Sequence, residues 1–204
     1  MEFYFLIFGN LVGVVGYIIM VVDYIKGSVD TGISGFDMAK SITSNYQDIN
    51  IVLANNLYIS KYYLKRRVIR LSRKDYSFCS TFSLFVVTFL SCVSLLKNKY
   101  MERLEKIFPF VDYINKSSII FIIISCFLYS KGDARIGIII GMVILVIQYL
   151  YLQIIGDVLV LVKDKKIKLK EKMLQYLEHL YISNKLLFIS SLILLLRFFV
   201  IIIL

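Results

Sequence analysis

Long apolar runs separated by short charged segments dominate the chain. Crossing the hydrocarbon core of a bilayer takes about 20 residues of helix. The runs that approach this length are Phe3–Val22, Ser117–Ser130, Ile136–Val162 and Leu186–Leu204. The second is short and spans only if flanking lysines extend toward the interface. The pattern therefore predicts an integral membrane protein, mainly α-helical, with about four transmembrane helices.

These runs divide the chain into membrane and polar segments. Residues 1–22 are predicted to form a retained N-terminal anchor, because no basic residue precedes the apolar run as in a secretory signal. Residues 117–162 are predicted to form a transmembrane hairpin around the tight link KGDAR, and residues 186–204 a C-terminal transmembrane helix.

A fifth apolar run, Ser77–Leu96, is long enough to cross, but the charges around it oppose crossing. Basic residues are concentrated in segments 23–75, 97–116 and 163–172. If the fifth run stays on one side, all three segments share the cytoplasmic face, as the positive-inside rule prefers. We therefore predict a non-spanning helix within segment 77–116, with both chain ends outside. Crossing is the open alternative.

The polar segment 23–76 is predicted to be a small cytoplasmic α/β part. Ser34 followed by Asp37 resembles a capping box that opens a short helix. The stretches INIVL (49–53) and RVIRL (67–71) are rich in branched residues and predict two β-strands. One helix and two strands bury little core alone, so we expect them to pack on helix 77–96 and the membrane face.

Residues 163–185 form a basic segment whose apolar residues recur at helical spacing, which predicts an amphipathic helix. Such a helix is suited to an anionic leaflet. The equally open alternative is a helix docked on the protein's own cytoplasmic part. The apolar positions are Leu169, Met173, Tyr176, Leu177 and Leu180.

Composition gives no reason to expect a nucleic-acid partner, a zinc site or a cofactor. Hydrophobic residues make up 59% of the chain and the formal net charge is +10, which in a membrane protein is expected at the lipid surface and needs no nucleic acid partner. Cys79, Cys92 and Cys126 lack the paired spacing of a zinc site and are predicted to be small buried apolar residues. His179, the single histidine, is predicted to be a surface or packing residue, and no cofactor is expected.

The polar segment carries a resemblance to a known family. Its stretches TGISGFDMAKSI and NNLYISKYYLKRRVIRLSRKDYS lie between an N-terminal anchor and an apolar helix. This layout resembles the bacterial membrane zinc metallopeptidases of the YugP type, which carry segments like LTGAEVARRIL and HLTDHYDPRKKVVRLSPEVYNGRS. The layout extends over nearly the whole chain, but the specific part covers residues 31–80. The matching residues are Ser34, Gly35, Ala39, Tyr62, Val68, Arg70, Leu71, Ser72, Tyr76 and Ser80.

The same resemblance implies that the catalytic motif is lost. In ungapped register the family's HExxH falls on residues 89–93, so Phe89 and Val93 occupy the metal-histidine positions and Leu90 the general-base position. That chemistry needs two imidazoles one helical turn apart and a neighbouring carboxylate. The family's acidic ligand falls on Ile155, and a family histidine is replaced by Lys61. The resemblance therefore implies a degenerate member with no metal and no catalytic residue.

Two charged residues inside the apolar runs are the remaining site candidates. Asp157 and Arg197 lie in the third and fourth runs, where an ionised side chain is costly and often functional. We predict an intramembrane ion pair between them. The alternative is that Asp157 meets a nearby lysine while Arg197 extends to the outer interface.

Together these observations predict a non-enzymatic, multi-pass protein of a bacterial cell membrane. The resemblance implies a pseudoprotease: a scaffold or regulator whose partners are the lipid bilayer and an active membrane protease or another membrane protein. The alternative is a membrane interaction or self-protection protein unrelated to proteolysis. A minor alternative is an active zinc metallopeptidase with relocated ligands.

Overall fold

The computed structural model describes residues 2–26, 32–44, 48–55, 60–63, 66–77, 80–96, 121–128, 130–164 and 171–203. Its elements are α1 (Glu2–Lys26), α2 (Gly35–Thr43), β1 (Asn50–Ala54), β2 (Lys61–Tyr63), β3 (Val68–Ser72), α3 (Arg73–Ser77), α4 (Thr81–Leu95), α5 (Lys131–Asp164) and α6 (Glu171–Ile203). Two compact units divide the chain. The first comprises Met1–Val21, Phe110–Gln153 and Leu180–Leu204, and the second Val22–Pro109 and Ile154–His179.

Three helices among the described residues are long and apolar enough to cross a membrane. They cover Glu2–Val22, Lys131–Lys163 and Met173–Ile203. These helices contain the first, third and fourth predicted runs, so a mainly helical protein with membrane-spanning potential is confirmed. Of the second predicted run, residues 121–125 are helical and end in a turn at 126–127, whereas residues 117–120 lie outside the described part. The count of four spans stays a prediction.

In the first unit, glycines let the helices approach closely. A Cβ atom on Gly13 of α1 would lie 2.6 Å from Ile122 Cδ1 and 2.7 Å from Ser190 Oγ of α6. A Cβ on Gly137 of α5 would lie 2.8 Å from the ring of Phe198. Small residues at helix contacts are typical of membrane helix packing, because they bring the backbones together without side-chain clashes.

Serine hydroxyls on α6 reinforce the contact with α1. Ser183 Oγ donates to the Gly16 carbonyl and Ser190 Oγ donates to the Gly9 carbonyl, each at 2.8 Å. Both acceptor carbonyls belong to glycines of α1. Such interhelical bonds average roughly 0.6 kcal/mol in membrane proteins, so they add to the packing without dominating it.

The first unit buries a core and leaves large apolar side chains outside it. Phe8 is 60% exposed and Ile139 is 66% exposed, on outer faces of α1 and α5. Water would oppose such faces, whereas hydrocarbon would not. The buried cluster comprises Leu6, Phe121, Ile122, Ala134, Ile144, Leu187, Leu194, Phe198 and Ile201.

The second unit contains a three-stranded sheet of order β1-β3-β2. β1 pairs parallel with β3, from Asn50 opposite Val68 to Ala54 opposite Ser72, and β2 pairs antiparallel with β3. The two predicted strands are present, each shifted by one residue. The short strand β2 was not predicted, because three residues of mixed polarity give no recognisable period.

Local caps organise the short elements of this unit. As predicted, Ser34 opens α2: its Oγ accepts from the Asp37 N–H at 3.1 Å and donates to the Asp37 carboxylate at 2.6 Å. The carboxylate of Asp75 in α3 is more buried than that of Asp37. It accepts from Ser60 Oγ at 2.6 Å and from Ser72 Oγ at 3.0 Å. This carboxylate therefore ties the start of β2 to the end of β3.

The sheet and α2 pack on α4, as the sequence predicted for the polar segment and helix 77–96. α4 is buried on nearly all sides among its described side chains. Its 15 residues extend about 22 Å, less than the ~30 Å hydrocarbon core, and its non-crossing position stays a prediction. The cluster that joins these elements comprises Ala39, Ile69, Leu71, Val87 and Leu90.

The C-terminal part differs from the prediction of separate elements at 163–185 and 186–204. α6 is one continuous helix, because no glycine, proline or cap interrupts Glu171–Ile203. Residues 165–170 lie outside the described part. Within the second unit, Met173 is 1% exposed and packs with Met38 and Leu84. This burial favours the docked alternative over a helix lying on the leaflet.

Candidate functional site

α4 is the helix on which the predicted family resemblance places the metallopeptidase motif. It begins after Ser80, whose Oγ accepts from the Ser83 N–H at 3.2 Å. Phe89 is 8% exposed, Leu90 is 6% exposed and Val93 is fully buried. All three side chains therefore lie inside the second unit, at the positions that the resemblance assigns to ligands and base.

The side chains on this helix do not fit a zinc ion. Phenyl, isobutyl and isopropyl groups have no lone pair for a metal and accept no proton. Ser91 donates its hydroxyl to the Val87 carbonyl at 2.8 Å. Burial raises the pKa of the Cys92 thiol to about 12, so at neutral pH it stays protonated, which suits neither a ligand nor a nucleophile.

The other predicted positions add no ligand set. Ile155 is fully buried in the second unit. His179 is exposed on α6, and the side chain of Lys61 and all of Cys79 lie outside the described part. Cys126 belongs to the first unit, where its sulfur accepts from Asn10 Nδ2 at 3.4 Å. Within the described ranges, no group of three or more His, Cys, Asp and Glu residues could hold a metal ion.

A buried arginine is the main charged feature of the first unit. The Arg197 side chain is fully buried in α6. Its guanidinium pairs with the Glu2 carboxylate of α1 at 3.1 Å and donates to the Leu128 carbonyl at 3.2 Å and to the Ser125 carbonyl. One side chain thus joins α1, α6 and the segment 121–128.

Arg197 has a carboxylate partner that the sequence did not predict. That partner is Glu2, and the Arg197 side chain is fully buried. The pair of Arg197 and Asp157 stays a prediction. The neighbouring Phe198 contacts Gly137, twenty residues before Asp157 in the same helix (157 − 137 = 20). α5 and α6 run antiparallel, so the start of α5 lies beside the part of α6 that contains Arg197.

The arginine also completes the end of a helix. Residues 121–125 end in a turn, and the last carbonyls of a helix have no intrahelical donor. The guanidinium supplies that donor to Ser125 and, beyond the turn, to Leu128. Basic side chains at helix C-termini are favourable for this reason. The sequence analysis did not predict a role for Glu2, although it is the only Asp, Glu, Lys, Arg or His in residues 2–22.

Comparison with known proteins returned no relative. No protein-family model, no curated protein and no solved structure matches this chain.

Proposed function

We propose that this chain is a membrane pseudoprotease: a scaffold or regulator that binds an active membrane metallopeptidase or its clients without cutting them. The observation that carries the proposal is the burial of Phe89, Leu90 and Val93 at the motif positions of α4. A catalytic zinc needs its ligand face open to water and substrate. Here that face is filled with apolar side chains that pack in a core.

The absence of catalysis is tested by metal content and cleavage together. The full chain is purified in detergent without a histidine tag, and zinc per chain is measured by mass spectrometry beside an HExxH-bearing membrane metallopeptidase. Cleavage of casein is measured with and without a chelator. We expect no bound zinc and no chelator-sensitive cleavage.

Near-stoichiometric zinc with chelator-sensitive cleavage would overturn the proposal and favour an enzyme with relocated ligands. Two matched variants would then locate the metal. His179→Ala removes an exposed imidazole, and Cys92→Ala removes a buried thiol with little change in volume. Loss of zinc in either variant would identify a ligand that the motif register does not contain.

The partner is tested separately by photo-crosslinking in cells. A photoreactive amino acid replaces Phe8 or Ile139, both exposed, and Leu194, fully buried, serves as the matched control. Crosslinking of an HExxH peptidase at the exposed positions only would support the proposal. A transporter or a peptide toxin at those positions would instead support the alternative of a self-protection protein.

A further inference from the structure

The first strand of the small sheet has an open edge within the described part of the chain. β1 pairs with β3 on one side, and the strand order places no described strand on the other. The Asn50 N–H donates to the Arg67 carbonyl at 2.9 Å, so Asn50 faces β3. Alternate residues of a parallel ladder face opposite sides, and the backbone groups of Ile51 and Leu53 therefore point outward.

Among its described residues, β1 carries none of three common protections against strand addition, namely a charge, a proline or a bulge. Val52 is 46% exposed and Leu53 is 39% exposed. The strand NIVLA contains no charge and no proline, and its register with β3 runs without a bulge. Proteins normally block such an edge with one of these devices, because unpaired backbone groups template further pairing. An unblocked edge with apolar side chains is suited to an added strand.

Positive charge lies at both ends of the same ladder. Arg66 and Arg67 are exposed just before β3 begins, and Arg73 and Lys74 are exposed just after it ends. Asp48 engages Arg67 at 2.7 Å, which leaves three further exposed basic residues. The two ends of the ladder are about 13 Å apart, at ~3.3 Å per residue.

We propose that β1 binds an extended peptide segment of another protein as a fourth strand, with apolar side chains on the strand and acidic residues at its ends. Charge decides the occupant. A second copy of this chain would bring the same basic residues against Arg66 and Lys74, and like charges disfavour pairing. Strand addition at β1 does not depend on the proposed function, because it involves neither α4 nor a metal.

The test measures binding of labelled synthetic peptides to the full chain in detergent by fluorescence anisotropy. The probe has alternating valines and threonines flanked by glutamates, and the control peptide has lysine flanks. We expect binding of the acidic peptide to be at least about tenfold tighter, and to weaken as salt rises. N-methylation of the probe's backbone is expected to abolish binding, because strand addition depends on main-chain hydrogen bonds.

A matched pair of variants locates the binding edge. Leu53→Pro removes an outward N–H but leaves the ladder with β3 intact, whereas Leu53→Val keeps that N–H and the apolar side chain. We expect about tenfold weaker binding for the proline variant and unchanged binding for the valine variant. Far-UV circular dichroism checks folding, and the N-methylated probe keeps the test valid if the proline variant unfolds.

Three outcomes would overturn this inference. The first is that the lysine-flanked peptide binds as tightly as the acidic one. The second is that the N-methylated probe binds as tightly as the unmethylated probe. The third is that the chain forms a dimer and that Leu53→Pro dissociates it. The last result would show that a second copy covers the edge. None of these outcomes bears on zinc content or cleavage, so failure here is distinguishable from failure of the proposed function.

Discussion

Removing the Arg197 guanidinium is expected to destabilise the protein strongly. Arg197→Met keeps an unbranched apolar side chain but takes away the donors to Ser125 and Leu128 and the partner of Glu2. Leaving a buried acceptor without its donor typically costs about 1–3 kcal/mol, and the Ser125 and Leu128 carbonyls both lose the guanidinium. We expect a loss in the free energy of unfolding of about this size.

The partners of Arg197 predict an order among variants. The Glu2 side chain is 36% exposed, so Glu2→Gln leaves a group that can still meet water, and we expect a loss of about 1 kcal/mol or less. Arg197→Lys keeps the charge but not the planar fork that reaches three acceptors, and it should fall between the two. The two carbonyl acceptors thus make Arg197 the more sensitive member of the pair.

The assay is unfolding of the full chain in mixed micelles of dodecylmaltoside and increasing SDS, followed by far-UV circular dichroism. A double-mutant cycle on Glu2→Gln and Arg197→Met should give a coupling energy of roughly 0.5 kcal/mol or more. The same cycle with Asp157→Asn should be additive. Coupling between Asp157 and Arg197, with none between Glu2 and Arg197, would refute the contact between Glu2 and Arg197.

The remaining predictions concern packing, reactivity and capping. Gly13→Ala should destabilise by about 1–3 kcal/mol, since a methyl group there overlaps its neighbours, whereas Gly132→Ala, with its nearest atom at 3.7 Å, should be neutral or stabilising in the same micelle titration. The Cys92 thiol should resist iodoacetamide at pH values well below its pKa of about 12 and should react after unfolding, as followed by mass spectrometry. Rapid labelling of Cys92 in the native chain would contradict its burial. Asp75→Ala should cost about 1–2 kcal/mol and more than Asp37→Ala, because the first carboxylate is partly buried with two serine donors; equal losses would argue against this difference.

The sequence alone determined the features that depend on neighbouring residues. Hydropathy over about 20 residues located the three long helices, because transfer into hydrocarbon sums over a contiguous segment. The cap at Ser34 was predicted because it joins groups three residues apart. The packing role of α4 followed from the apolar character of Phe89 and Val93.

Only the tertiary structure decided which distant groups meet. The sequence predicted Asp157 for Arg197 because both lie in apolar runs. It did not predict Glu2, which contacts Arg197 because α1 packs beside α6. The strand β2 exists because β3 offers it a ladder, and its three residues carry no pattern of their own. The energy of such a pair depends on which elements become neighbours in space, and local sequence does not determine which elements those are.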